Sequence, residues 1–194
     1  LKLHEVSYDW TSPWADNLRS VKVGSWWGGR AYFSNSYWAD SEIRMAQYDP
    51  AVSDYTVNVE AWQHEGGKLD WYAGARITDT SYIRVGAVLG NADQMGNIPL
   101  YARVRDSAGT ATAGDFYVAT FNPDTAIDLE ISVNGDQVLA SVSHGDFSKD
   151  FSFTTGVLND GNAGFGGQNK WGYGLGDFDN FVVSEIPEPA TLAL

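Results

Sequence analysis

Apolar and polar residues alternate along this chain in short runs, and the runs are separated by Gly, Pro, Asn and Asp. Helical spacing is almost absent, so a period of two sets the reading and predicts short β-strands throughout. The pattern places them at Leu3–Tyr8, Trp26–Phe33, Glu42–Tyr48, Tyr55–Gln63, Leu69–Ile77, Ser81–Leu89, Ile98–Arg105, Phe116–Thr120, Ile127–Val133, Gln137–Ser143, Phe147–Phe153, Ala163–Gly167 and Phe178–Ser184. That many short strands in one chain is what an all-β, two-sheet antiparallel jelly-roll sandwich holds. The clearest local signal is ISVNGDQVLASV, where Asn134-Gly135 supplies the positive φ angles of a tight type I′ hairpin.

Side chains in a strand alternate between faces, so parity sorts core from surface. Tyr55, Val57, Val59 and Ala61 are expected inward, leaving Thr56, Asn58, Glu60 and Trp62 on the other face. Leu69, Trp71, Ala73, Ala75 and Ile77 turn inward and present Tyr72 and Arg76. Ile83, Val85 and Ala87 lie opposite Tyr82 and Arg84, and Leu100, Ala102 and Val104 lie opposite Tyr101, Arg103 and Arg105. If these strands are neighbours, one surface collects Glu60, Trp62, Tyr72, Arg76, Tyr82, Arg84, Tyr101 and Arg103 into a polar-aromatic palm open to solvent.

Composition narrows the partners. A chain of 194 residues suits one domain plus a tail, and 14% aromatic residues argue against disorder. A formal charge of −13 would repel a phosphate backbone, so a nucleic-acid partner is not expected. Cysteine is absent, which removes disulfides and thiolate metal sites. The chain begins at Leu1 without a basic-then-apolar leader, as a processed secreted protein or a trimmed chain would. No apolar run approaches the roughly 20 residues of a membrane-spanning helix, so a soluble chain is expected. Trp10, Trp14, Trp26 and Trp27 crowd the N-terminal segment, where core is the commoner use and a contact surface the other.

Ordered along residues 53–184, SDYTVNVEAW, LDWYAGARI, SYIRVGAVL, IDLEISVNGDQVLASV, GFGG and GDFDNFVV resemble the concanavalin A-like lectin/glucanase superfamily in its laminin-G-like branch. The ending IPEPATLAL resembles the start of a PEP-CTERM sorting signal. In that family Pro-Glu-Pro precedes a membrane-spanning helix and a basic cluster read by an exosortase in Gram-negative bacteria. Pro187, Glu188 and Pro189 match the motif; the alternative is that Pro-Glu-Pro only ends a strand. The expected organisation is a laminin-G-like jelly roll over 1–185 and a sorting tail over 186–194.

The resemblance implies glycan binding on the palm, since sugar rings stack on aromatics and their hydroxyls need planar hydrogen-bond partners. Its arginines would invite an acidic polysaccharide, because guanidinium pairs bidentately with carboxylate or sulfate. The ordinary alternative is that cross-strand pairs simply stabilise a solvated sheet. For hydrolysis the nearest carboxylate pair is Asp128 and Glu130, whose alternation with Leu129, Ile131 and Val133 reads as an ordinary half-exposed strand. For uronate lyase chemistry Arg76, Tyr72, Tyr101, Gln63 and His64 are the right types, without the families' signature strings. His4 and His144 are isolated, and HEVS and HEGG lack the second histidine of a helical zinc motif. The resembled fold also implies a structural Ca2+ between first and last strands, held by Asp179 and Asp177 with Glu5 or Asp9; Asp179 bonded only to loop amides is the alternative.

Together these features lead us to expect an exported cell-surface or extracellular-matrix protein of a Gram-negative bacterium, non-catalytic, binding polysaccharide or associating with itself, its precursor membrane-anchored before exosortase processing. A structural filament or layer subunit joined through edge strands and the tail stays open, as does a lyase or hydrolase on the same face.

Overall fold

The computed structural model describes residues 18–23, 31–35, 41–50, 52–78, 81–89, 98–106, 109–118, 125–156 and 160–186. The expected strand Leu3–Tyr8, the four N-terminal tryptophans, Glu5, Asp9 and the Pro187-Glu188-Pro189 motif lie outside them. Among the described residues no helix is long and apolar enough to cross a membrane. The described strands are β1 (Leu18–Val23), β2 (Ala31–Asn35), β3 (Ser41–Tyr48), β4 (Tyr55–Ile77), β5 (Tyr82–Leu89), β6 (Ile98–Asp106), β7 (Gly109–Val118), β8 (Ile127–Asn134), β9 (Gln137–His144), β10 (Phe147–Thr154) and β11 (Asn162–Glu185).

Two of these strands are far longer than alternation predicted. Tyr55–Gln63 and Leu69–Ile77 are one 23-residue strand, and Ala163–Gly167 and Phe178–Ser184 are one 24-residue strand. Gly66-Gly67 read as a turn, yet the chain continues through it in antiparallel register with β11, Gly66 facing Gly174. Register shifts between Asn169 and Trp171, Trp171 and Gly174, and Leu175 and Gly176 let the ribbon bend without releasing its hydrogen bonds. β1 was not anticipated, and β7 spans Gly109–Val118 where Phe116–Thr120 was expected.

Each half of the β4/β11 ribbon belongs to a different layer. In the first, the order is β10-β9-β8, then the start of β4, then the end of β11, then β2 and β1. In the second, it is β3, then the start of β11, then the end of β4, then β5-β6-β7. All pairings are antiparallel. A tight hairpin forms at the expected place, but its two turn residues are Gly135 and Asp136, with Asn134 paired to Gln137; Gly135 alone of these takes a positive φ, 52°, so the turn is of type II′ rather than the expected type I′.

The odd-numbered side chains of both halves of β4 face the space between the layers. Tyr55, Val57, Val59 and Ala61 meet Trp71, Ala73 and Ala75 there, with Ile83, Val85 and Ala87 from β5 and Ile127, Leu129, Ile131 and Val133 from β8. Trp71 stands edge-on to Phe178 at 5.1 Å between ring centroids, and Phe165 lies 4.6 Å from Phe178 and 4.9 Å from Phe181. Phe165 and Phe178 both belong to β11, so that strand also folds over the core.

Laid out straight, β4 would span about 70 Å, yet its two ends touch. The Tyr55 hydroxyl accepts the Arg76 backbone N–H at 2.8 Å and donates to the Gly161 carbonyl at 3.3 Å. Arg76 adopts φ 49°, and its guanidinium donates to the Ser53 carbonyl at 3.2 Å, with the Asp54 carboxylate 3.6 Å away. The Asp54 carboxylate also accepts the Gly135 N–H at 2.9 Å, and the Asp54 carbonyl accepts the Ile186 N–H at 2.9 Å. This knot ties the fold-back to the β8–β9 turn and to the end of β11.

Two measurements check the knot. Gly161 sits at φ 127°, and a Cβ there would lie 2.5 Å from the Arg76 carbonyl carbon, so Gly161→Ala should cost about 3 kcal/mol or more in denaturant unfolding. Tyr55→Phe should cost about 1–3 kcal/mol by losing both bonds of a buried hydroxyl. Burial pushes the Tyr55 hydroxyl from 10.0 to about 12, so the fold favours its neutral form. That contribution is complete below pH 10 and is lost as the pH rises toward about 12; over this window wild-type stability should fall more steeply than that of Tyr55→Phe.

Candidate functional site

Because β4 folds back with its odd side chains inside, the even side chains of its two halves face opposite outsides of the sandwich. The expected palm therefore splits. Glu60 and Trp62 belong to the outer face of the first layer, whereas Tyr72, Tyr82 and Arg84 belong to the outer face of the second. Arg76 is on neither: its positive φ breaks the alternation and turns the side chain into the knot. Ile77 then falls over the second outer face, since a Cβ at Gly74 would lie 2.6 Å from its Cδ1, and it stands apart from the main core cluster.

Tyr72 and Arg84, expected to meet solvent, are buried at 0% and 5% exposure. The reason is a stack. The Arg84 guanidinium lies 3.9 Å from the Tyr72 ring centroid and 3.7 Å from that of Tyr82, an arrangement in which the cation gains from two ring faces while shedding water. Gly86, paired with Tyr72, adds no side chain of its own, and Gly74, paired with Arg84, leaves room that Ile77 takes. In the backbone register Tyr101 pairs with Gly86 and Arg103 with Arg84. Gln63 and His64 are likewise placed only along β4. The five residues weighed for uronate chemistry are thus not gathered into one open site, since Tyr72 and Arg76 are buried.

A different constellation stands open on the first layer. A depression of about 310 Å³ is lined by Asn58, Val59, Glu60, Asp128, Leu129, Glu130, Ser141, Ser143 and Asn180. Register assembles it: Glu60 faces Asp128, which faces Ser143; one pleat along, Asn58 faces Glu130, which faces Ser141. Val59 and Leu129 are buried beneath, and Asp128 and Glu130 are exposed. Ser143 donates its hydroxyl to Asp128 at 3.1 Å. Trp62 follows Glu60 by two residues on the same face and is half-buried.

Asn180 enters from β11 at a bulge, where the register with β4 shifts between Asp179 and Val182. Its φ of 53° suits Asn, whose short polar side chain tolerates the left-handed region. Asp179 faces Glu60 across the ladder, and its carboxylate accepts the Asn180 N–H at 2.8 Å. Of the calcium ligands implied by the resemblance, Asp177 is placed by backbone opposite Trp62 and Glu5 is outside the described residues. Among the described residues no group of three or more His, Asp or Glu is arranged to hold a metal ion.

Chemically the depression offers carboxylates, amides and hydroxyls, groups that take several hydrogens from a polyhydroxylated or aminated ligand. Asp128 and Glu130 were legible as neighbours on one strand, but their meeting with Glu60 depends on β8 pairing with β4. Ser141, Ser143 and Asn180 were missed for the same reason. The signal available was the DNF triplet, which suits a left-handed Asn.

No family model matches the chain, and no curated protein matches its sequence. Solved structures do. A functionally unknown protein from Saccharomyces cerevisiae superposes with a TM-score of 0.65 at 13% identity, covering 88% of this chain and 94% of that one. Carbohydrate-binding module CBM66 from Bacillus subtilis gives 0.56 at 13% identity, covering 86% and 91%. The exoplasmic/lumenal domain of VIP36, in a form bound to Ca2+ and Man3GlcNAc, gives 0.54 at 11% identity, covering 84% and 88%. The fold is a concanavalin A-like jelly roll. At these identities the likeness shows the fold alone.

The Arg84 stack predicts its own test. Arg84→Lys keeps the charge but loses the planar contact with both rings, and should lower stability by about 1 kcal/mol, or about 2–4 °C in Tm.

Proposed function

We propose that this protein is a non-catalytic glycan-binding jelly roll, using the depression between β4, β8 and β9 and the neighbouring Trp62. The observation that carries the reading is the open depression of about 310 Å³, where planar carboxylate and amide groups converge with two serine hydroxyls; Trp62 follows Glu60 by two residues on the same face of β4. Sugars are held by this combination: hydroxyls bond to planar acceptors while the ring stacks on an aromatic face. Similar folds named as a carbohydrate-binding module and as an oligosaccharide-bound lumenal domain support the assignment by analogy.

The proposal extends to place and assembly. The chain works at the surface or in the matrix of a Gram-negative bacterium, and residues 186–194 begin a PEP-CTERM-type tail that anchors the precursor before exosortase processing. A structural Ca2+ near Asp179 and Asp177, completed by Glu5, belongs to the same reading. Self-association is the companion role: among the described residues β10 pairs only with β9, leaving one edge of an eight-residue strand for a partner strand.

Affinity electrophoresis through gels loaded with single polysaccharides tests the binding. The wild-type protein should be retarded by at least one neutral or amino-sugar polymer, and Trp62→Ala, still folded by circular dichroism, should migrate as in an empty gel. Wild-type migration unaffected by every polymer in a panel of neutral, acidic and amino-sugar glycans would refute the reading.

A further inference from the structure

We infer that the glycan held on this face is cationic: a polysaccharide of amino sugars whose amines are free and protonated. The inference rests on the glycan-binding reading above and names its ligand class.

Register puts Glu60 directly opposite Asp128, with Glu130 one pleat further along β8. Residues opposite each other on paired strands have Cβ atoms about 4.5–5.5 Å apart, and like charges there repel. Among the described residues no ion pair involves Glu60, Asp128 or Glu130. Among the described residues one hydrogen bond reaches the three carboxylates, that from Ser143 to Asp128. Lys149, the lysine of β10, shares the parity of the buried Phe151 and so alternates away from the face. Among the described residues these three carboxylates have no cationic partner.

An ionised carboxylate only accepts hydrogen bonds, and an ammonium group only donates, with three donors. A protonated amino sugar therefore complements the depression in charge and in donor count. A uronate or sulfate would meet like charge. Of the arginines whose side chains are described, Arg76 is engaged in the knot and Arg84 between two tyrosines. A neutral sugar would satisfy the amides and hydroxyls and leave the carboxylate repulsion untouched.

The test uses the whole chain and chitosan oligosaccharides, compared with their fully N-acetylated counterparts, alginate and a neutral glucan, by calorimetry at pH 6 in low and moderate salt. We expect chitosan to bind at least about tenfold tighter than the N-acetylated chain and to weaken with salt. The triple variant Glu60→Gln, Asp128→Asn, Glu130→Gln should lose this preference while gaining slightly in Tm, because relief of like-charge repulsion is worth a few tenths of a kcal/mol. A charge-matched control, Asp136→Asn, Asp146→Asn, Glu185→Gln, removes exposed acids away from the depression and should bind as wild type. Equal affinity for acetylated and free-amine chains would overturn the inference while leaving glycan binding intact. Equal losses in the two triple variants would also overturn it, showing general attraction to a polycation. Absence of binding to any glycan would remove the underlying reading as well.

Discussion

The fold-back of β4 is the constraint on which the rest of the sandwich depends. A strand of 23 residues cannot fit in a domain of this size unless it bends, and once bent its ends must be held. Tyr55 does this from inside the core, taking a backbone proton from Arg76 and giving its own to Gly161. The Tyr55 hydroxyl and the Arg76 backbone N–H, both removed from water, find partners there, the condition under which burying such groups costs little. Arg76 accepts a left-handed backbone to join it, a strain of order 1 kcal/mol that the surrounding bonds offset.

From that bend follows the chemistry of the two outsides. Continuous parity along β4 means that Glu60 and Tyr72, both even-numbered, would share a face on a straight strand; folding sends them to opposite surfaces. One outside becomes acceptor-rich, with Glu60, Asp128 and Glu130 open to water. The other hides its cation, Arg84 lying between tyrosine rings at 5% exposure. Three acidic groups thus stand where a ligand can reach them, while Arg76 and Arg84, both expected on an open face, are committed to the structure.

Much of the fold was legible because alternation reports burial directly. Tyr55, Val57, Val59 and Ala61, then Trp71, Ala73 and Ala75, then Ile127, Leu129, Ile131 and Val133 all lie inside as their parity requires. The hairpin's place was legible because Gly135 supplies a positive φ that few residues tolerate, though its turn type was not, since Asn134 stays in the ladder. What alternation does not report is where a strand bends. Gly66-Gly67 looks like an end, since glycine breaks the pattern, yet a paired partner in β11 carries the strand through. The positive φ of Arg76 was equally hidden, because nothing in GARITD announces a left-handed arginine. The site failed to show for a related reason: Glu60 and Asp128 meet only through a long-range register, and side-chain parity names a face without naming its neighbours.

The fold-back can be measured directly, and the absence of native cysteine makes the labelling clean. Spin labels on cysteines introduced at Ser53 and Thr78, just outside the two ends of β4, should give a pulsed dipolar distance of about 20 Å or less. A strand that ran straight would separate them by about 80 Å. A distribution centred beyond about 50 Å would contradict the knot, and with it the division of the two outer faces.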